Sequence, residues 1–156
     1  MRELTEKINT QESKDFKVTK QIFEKILSGN CPHIEATQEG CSVDMRLSAY
    51  TKSEMIPMCI EIKERNQNLE IYDKIPITCN KFCNIKAEAR EGERILYITL
   101  INGEEYYIFD FDKIDWNKVE CKHWLIKKTQ LDSNSKKKNF PTFFIPISQA
   151  IYNGLI

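Results

Sequence analysis

Glycine is scarce in this chain of 156 residues: there are five, and each stands alone. Gly29, Gly40, Gly92, Gly103 and Gly154 therefore read as turns and element ends, and no Gly-rich loop is present to cradle a nucleotide phosphate. The two histidines, His33 and His123, are too far apart in sequence for a Cys-His nucleophile pair to be argued from spacing. Long apolar runs are missing as well. Ile95 to Ile101 spans seven residues and already includes Tyr97 and Thr99, far short of the roughly 20 needed to cross a bilayer. Residues 1–20 alternate acids and bases with no apolar centre, unlike a signal peptide. These absences point away from a membrane partner and toward a cytoplasmic location. Net charge is also lacking, because Lys plus Arg and Asp plus Glu each total 23, which removes the overall basic signature of a nucleic-acid binder.

What the chain does have is a globular composition, 41% hydrophobic and 29% charged, in a length that suits one domain. Charge is uneven locally. Lys113 to Lys138 holds eight Lys against three acids, whereas Tyr97 to Asp112 holds four acids and no base. The basic stretch, with Lys127, Lys128, Lys136, Lys137 and Lys138, reads either as a solvated loop or as a set of phosphate contacts. Six cysteines in a chain without a secretion signal read as reduced thiols. Cys79 and Cys83, four apart, would share a helix face and hold a metal together with His33 or His123, but no second close pair completes a zinc spacing. Small buried apolar residues are the plainer reading of such cysteines.

Residues 1–14 are polar without apolar periodicity and read as a flexible lead-in, leaving 15–156 as the domain. Val18, Ile22 and Ile26, with Phe23 and Leu27 beside them, form the apolar stripe of a first helix that stops at Gly29. Strand signals follow at 33–38, at 41–51 beyond a Glu39-Gly40 turn, and at 55–63 beyond a polar turn at 52–54. In the third strand Ile56, Met58, Ile60 and Ile62 take one face and Cys59, Glu61 and Lys63 the other. A second helix is expected over 76–90, with Pro76 near its start and Gly92 beyond its end. Residues 94–101 and 104–111 around Asn102-Gly103 form the clearest hairpin. Late strands are expected at 124–126 and 140–147, where Pro141 and Pro146 suggest edge positions. The order of helix, three strands, helix and further strands is that of an α+β or mixed α/β layer fold.

One group of residues carries chemistry. Glu61 and Lys63 leave the same strand face, with Ile62 turned to the core between them, and an antiparallel neighbour would bring Asp44 to Glu61. Two carboxylates suit a hard divalent cation that keeps several waters, and a lysine beside it adds positive charge for phosphodiester hydrolysis. The competing reading is a solvated strand face with weak surface ion pairs, including Asp44 with Arg46.

Asp44, followed by Glu61-Ile62-Lys63 after an apolar strand and preceded by a helix that offers Glu24, resembles the PD-(D/E)XK nuclease superfamily. The likeness spans roughly residues 18–101, and Val43 stands where the proline of the motif would be. The resemblance implies a restriction-endonuclease-like fold, a mixed central β-sheet flanked by helices. It implies that Asp44, Glu61 and the Ile62 carbonyl bind Mg²⁺ or Mn²⁺, that Lys63 is the catalytic lysine and that Glu24 is an auxiliary acid. It also matches Lys81 to a polar residue some members place near the site. The function implied is metal-dependent hydrolysis of DNA, in phage or mobile-element DNA processing, by a homodimer or with a partner protein that supplies specificity. The alternative is a catalytically inactive module of the same fold that binds DNA or a protein partner.

Overall fold

The structure, a computed structural model, describes residues 2–27, 33–37, 41–50, 54–127 and 137–156. The helix stop at Gly29, the Glu39-Gly40 turn, most of the 52–54 turn, Lys128 and Lys136 lie outside the described residues. Two helices and nine strands are described, in an α+β arrangement. Helix α1 (Arg2–Ile26) precedes β1 (His33–Ala36), β2 (Met45–Tyr50) and β3 (Met55–Arg65). Strand β4 (Lys74–Thr78) leads directly into α2 (Cys79–Glu88), followed by β5 (Arg94–Ile101) and β6 (Glu105–Asp110). Strands β7 (Glu120–Lys127), β8 (Lys137–Pro146) and β9 (Tyr152–Leu155) complete the chain.

Six strands form the main sheet in the order β1-β2-β3-β5-β6-β9, and three form a second sheet in the order β4-β8-β7. Strands β3 and β5 run parallel, and every other described pair is antiparallel. A parallel pair needs a crossover connection, and here that crossover contains β4 and α2. Asn102 and Gly103, with φ of 54° and 74°, close the β5–β6 hairpin. Positive φ at both central residues is what the tight hairpin turn requires, and Asn-Gly accepts it at least cost.

The sheet separates two apolar cores. On one face Ile22 and Phe23 of α1 pack against Met45, Leu47, Met58, Ile60, Ile62, Leu96 and Ile98. On the other, Val43, Cys59, Tyr97 and Phe109 meet Ile75 and Ile77 of β4, Ile85 of α2 and Ile145 of β8. The period-2 pattern of β3 thus places Ile60 and Ile62 under α1 and sends Glu61 to the face covered by α2 and the second sheet.

Three expectations differ from the structure. Helix α1 begins at Arg2, within the stretch expected as a flexible lead-in, rather than after residue 14. Its early residues are mostly good helix formers, so propensity carries the helix beyond the stripe that packs. Residues 74–78 are strand, and the second helix starts at Cys79. The Thr78 hydroxyl caps it by accepting from the Lys81 N–H at 3.2 Å, so Pro76 belongs to the outer strand of the second sheet and not to a helix start. Strand β8 lies in the middle of its sheet, not at an edge. Its prolines are accommodated because β4 pairs only with Thr142 to Pro146, leaving Pro141 beyond β4, while Pro146 ends the strand. Among the described residues, no helix is long and apolar enough to cross a membrane.

Candidate functional site

Strand β2 pairs with β3 as far as Met45 opposite Ile60, after which β3 runs on to Arg65 with β5 beside it. Asp44 stands at this fork. Its backbone N–H donates to the Ile60 carbonyl at 2.9 Å, and its own carbonyl accepts from the Thr37 hydroxyl at 3.0 Å. With the backbone held on both sides, the carboxylate takes the place β2 has vacated, and the Ile62 N–H donates to Asp44 Oδ2 at 2.8 Å. In an extended strand the N–H and C=O of one residue leave the same edge, so the Ile62 carbonyl faces the fork as well.

Glu61 is 5% exposed. The Lys81 ammonium of α2 reaches Glu61 Oε1 at 2.8 Å and the Ser42 carbonyl at 2.7 Å. Glu61 Oε2 is buried and has no hydrogen-bond partner among the described residues. Burial first, then the Asp44 charge, pushes the Glu61 carboxyl up to about 8 against the opposing pull of Lys81. The two carboxylates therefore lie near enough for the Asp44 charge to disfavour ionisation of Glu61 even with the Lys81 ammonium beside it, and Glu61 retains a proton at neutral pH.

The loop before Asp44 is tied to α2 at two points. Besides the Lys81 contact with the Ser42 carbonyl, the Ser42 N–H donates to both Glu88 carboxylate oxygens at 2.8 and 2.7 Å. These bonds outweigh desolvation and hold Glu88 below the usual carboxylate range. Arg46 pairs with Glu93 at 3.0 Å rather than with Asp44. Tyr97 lies opposite Glu61 in the β3–β5 register, and its hydroxyl accepts from Arg65 at 2.9 Å. Burial raises the Tyr97 hydroxyl above its ordinary value, so it stays a neutral phenol. Arg65 also donates to the Pro76 carbonyl of β4, which fastens the second sheet over this end of β3.

The structure thus brings together Asp44, Glu61 and the Ile62 backbone, with Lys81 joining from α2. Lys63 is half-buried on β3, two residues from Glu61 and directed to the same face. Glu24 is not brought to the group. It belongs to α1, on the opposite face of the sheet, where it shares a shallow concavity with Gln21, Lys25 and Ile156 and lies 3.9 Å from Lys20. Lys127 and Lys137 face each other in the β7–β8 register, Lys138 lies opposite Ile126, and Lys138 is exposed. This part of the hairpin runs past Thr142, the last β8 residue that pairs with β4.

Ser42, Arg65, Tyr97 and Glu88 complete the surroundings of the pair and were not expected from the sequence. Arg65 has a legible signal, since it continues the Glu61, Lys63 alternation by one more step. Ser42 acts through its backbone and Glu88 through a helix packed from afar, and neither role leaves a mark in spacing. Among the described residues no group of three or more His, Cys, Asp or Glu side chains could hold a metal ion. The donor set at the fork is two carboxylates and a carbonyl, the kind of set a magnesium ion takes when waters and a phosphate fill its remaining positions. Comparison with family models, curated proteins and solved structures finds no match to this chain.

Proposed function

We propose that the chain is a metal-dependent nuclease of the PD-(D/E)XK type that hydrolyses DNA phosphodiester bonds. The observation that carries this reading is the convergence of Asp44 and Glu61 at the strand fork, with a buried Glu61 oxygen that no described donor reaches. The element order also supports it, because two helices cover opposite faces of a mixed sheet whose parallel pair is β3–β5. Strand β4, placed between β3 and α2, and the position of Glu24 depart from the resembled pattern.

In this reading Asp44, Glu61 and the Ile62 carbonyl hold Mg²⁺ or Mn²⁺. When bound, the cation lowers the pKa of a water and neutralises charge developing on the phosphate. The chain's own contributions are separate. The Ile62 N–H aims Asp44, burial keeps Glu61 poorly hydrated and ready to exchange its proton for a cation, and Lys63 sets a positive charge beside the phosphate. Lys127, Lys138 and their neighbours supply contacts to backbone phosphate. Cutting both strands with one such centre calls for a homodimer or a second visit, and a partner protein would supply specificity.

The test is calorimetric titration of Mg²⁺ and Mn²⁺ into wild type, Asp44→Ala and Glu61→Ala, followed by incubation with supercoiled plasmid and branched DNA. Binding in the wild type that both substitutions abolish, with metal-dependent cleavage lost in Lys63→Ala, is the expected result. Absence of binding at millimolar metal in a folded wild type overturns it.

A second reading has its own observation. The Lys81 ammonium already occupies Glu61 and the Ser42 carbonyl, so a lysine supplies the positive charge a metal would bring. In that case the fold is a non-catalytic module that binds DNA or a protein partner. Salt-sensitive DNA affinity without cleavage, unchanged in Lys63→Ala, distinguishes it.

A further inference from the structure

Outside the fork, one pair of reactive groups lies close together in space and far apart in sequence. Cys79, the first residue of α2, has its Sγ 3.9 Å from the Sγ of Cys121 on β7. Cys121 is exposed and Cys79 partly so, and both are free thiols. The contact is built by the fold. Cys121 lies opposite Phe143 in the β7–β8 register. Phe143 packs edge-on to Phe82 of α2, with ring centroids 5.4 Å apart, so the same face of the hairpin that seats α2 presents Cys121 to its first turn.

We propose that Cys79 and Cys121 are a redox-active dithiol that closes to an intramolecular disulfide by exchange with low-molecular-weight disulfides. The two sulfurs must approach by about 2 Å to reach the ~2.05 Å bond. The alternatives at this place are weaker. Cys83 is one helical turn from Cys79, where Cβ atoms are about 5–6 Å apart, outside the roughly 3.5–4.5 Å of a disulfide. Closure between Cys79 and Cys83 would require α2 to unwind. No third ligand completes a metal site among the described residues, so the pair's chemistry is oxidation rather than zinc binding.

The exchange runs in two steps. Cys121, the more accessible sulfur, gives up its proton to solvent and attacks one sulfur of an external disulfide. That S–S bond breaks, and one external thiolate leaves to take up a proton. Cys79 then loses its proton and attacks Cys121 Sγ in the mixed disulfide, expelling the second thiolate. Two protein thiols are oxidised and one external disulfide is reduced to two thiols. Burial and the neighbouring Cys121 thiol raise the Cys79 thiol above its ordinary value, which fits Cys79 as the sulfur that closes the bond rather than the one that opens the exchange. The resulting bridge staples the turn that carries Lys81.

The experiment incubates the full chain with oxidised glutathione, blocks remaining thiols by alkylation and maps peptides by mass spectrometry. A linked Cys79–Cys121 peptide two hydrogens lighter is expected in the wild type and in Cys83→Ser, and none in Cys121→Ser with unchanged circular dichroism. Closure constrains a long loop in the unfolded chain, so the thermal midpoint should rise by roughly 5–15 °C and return on reduction with dithiothreitol. Amide exchange over 79–83 should slow in the oxidised form. A stable glutathione adduct on Cys121 without closure, or a Cys79–Cys83 link, overturns the proposal.

Discussion

Glu61 is the residue whose chemistry is most sharply set by its surroundings. Its folded value near 8 lies above the ordinary 4.5, so between those pH values the folded chain keeps a proton that the unfolded chain releases. Stability must then fall as pH rises from about 4.5 to about 8, and this loss is absent below the lower limit. The change is on the order of a few kcal/mol for a shift of this direction and burial. Glu61→Gln removes the titration while leaving an amide oxygen for Lys81 and an N–H for Asp44. Measured with a chelator present, the variant should melt with a flatter pH profile than wild type and exceed it at pH 8.5; parallel profiles would refute the assignment. Lys81→Met tests the other side of the contact. It strips a charge-assisted partner from Glu61 and a donor from Ser42, and is expected to cost about 1–3 kcal/mol in urea unfolding at pH 8. That Glu61 and Lys63 share a face of β3 is legible in the sequence because a strand's period of 2 fixes it. Asp44, by contrast, stands before β2, where Val43 and Met45 already turn to opposite cores and the alternation no longer places it. Glu24 was not placed, since an apolar stripe says that a helix packs but not on which side of the sheet.

At the scale of elements, α2 decides the site's surroundings, and its start depends on one hydroxyl. Thr78 accepts the Lys81 N–H, so Thr78→Val should cost about 1 kcal/mol and speed amide exchange at residues 80–82 more than across β5. The β5–β6 turn is a separate test. Gly103 has φ of 74° and a Cβ built there would stand 3.4 Å from Glu64 Oε1, so Gly103→Ala is expected to lower stability by about 1–2 kcal/mol. The hairpin was readable because Asn-Gly is a local signal. The helix expected from residue 76 begins instead at Cys79 for a local reason as well: Ile-Pro-Ile-Thr has no helical or strand period long enough to decide, and Pro suits either a helix start or an outer strand. What settles it is pairing with β8, which lies far along the chain.

For the molecule as a whole the question is what holds the second sheet against the first. The division into two sheets left no trace in the sequence, because late strands read alike whether they extend one sheet or build another. Ile75, Ile77 and Ile145 pack into the core between the sheets, yet such apolar contact is non-directional and does not set an angle. Direction comes from Arg65. It rises from β3 and donates to both the Tyr97 hydroxyl of β5 and the Pro76 carbonyl of β4. Pro76 has no N–H to give to a ladder, and its carbonyl is served by this guanidinium. Both bonds leave one terminal guanidinium nitrogen, a geometry the three donors of a lysine ammonium can also serve, so the informative substitution is one that removes the donors. Arg65→Met should therefore leave both acceptors unpaired and cost about 1–3 kcal/mol. If the guanidinium also couples the sheets, far-ultraviolet circular dichroism and the fluorescence of Trp116 and Trp124, which both pack on β8, should give one urea transition in wild type and two separated midpoints in the variant. Coincident midpoints with an unchanged slope would mean that apolar packing alone joins the two layers and that Arg65 contributes only its hydrogen bonds.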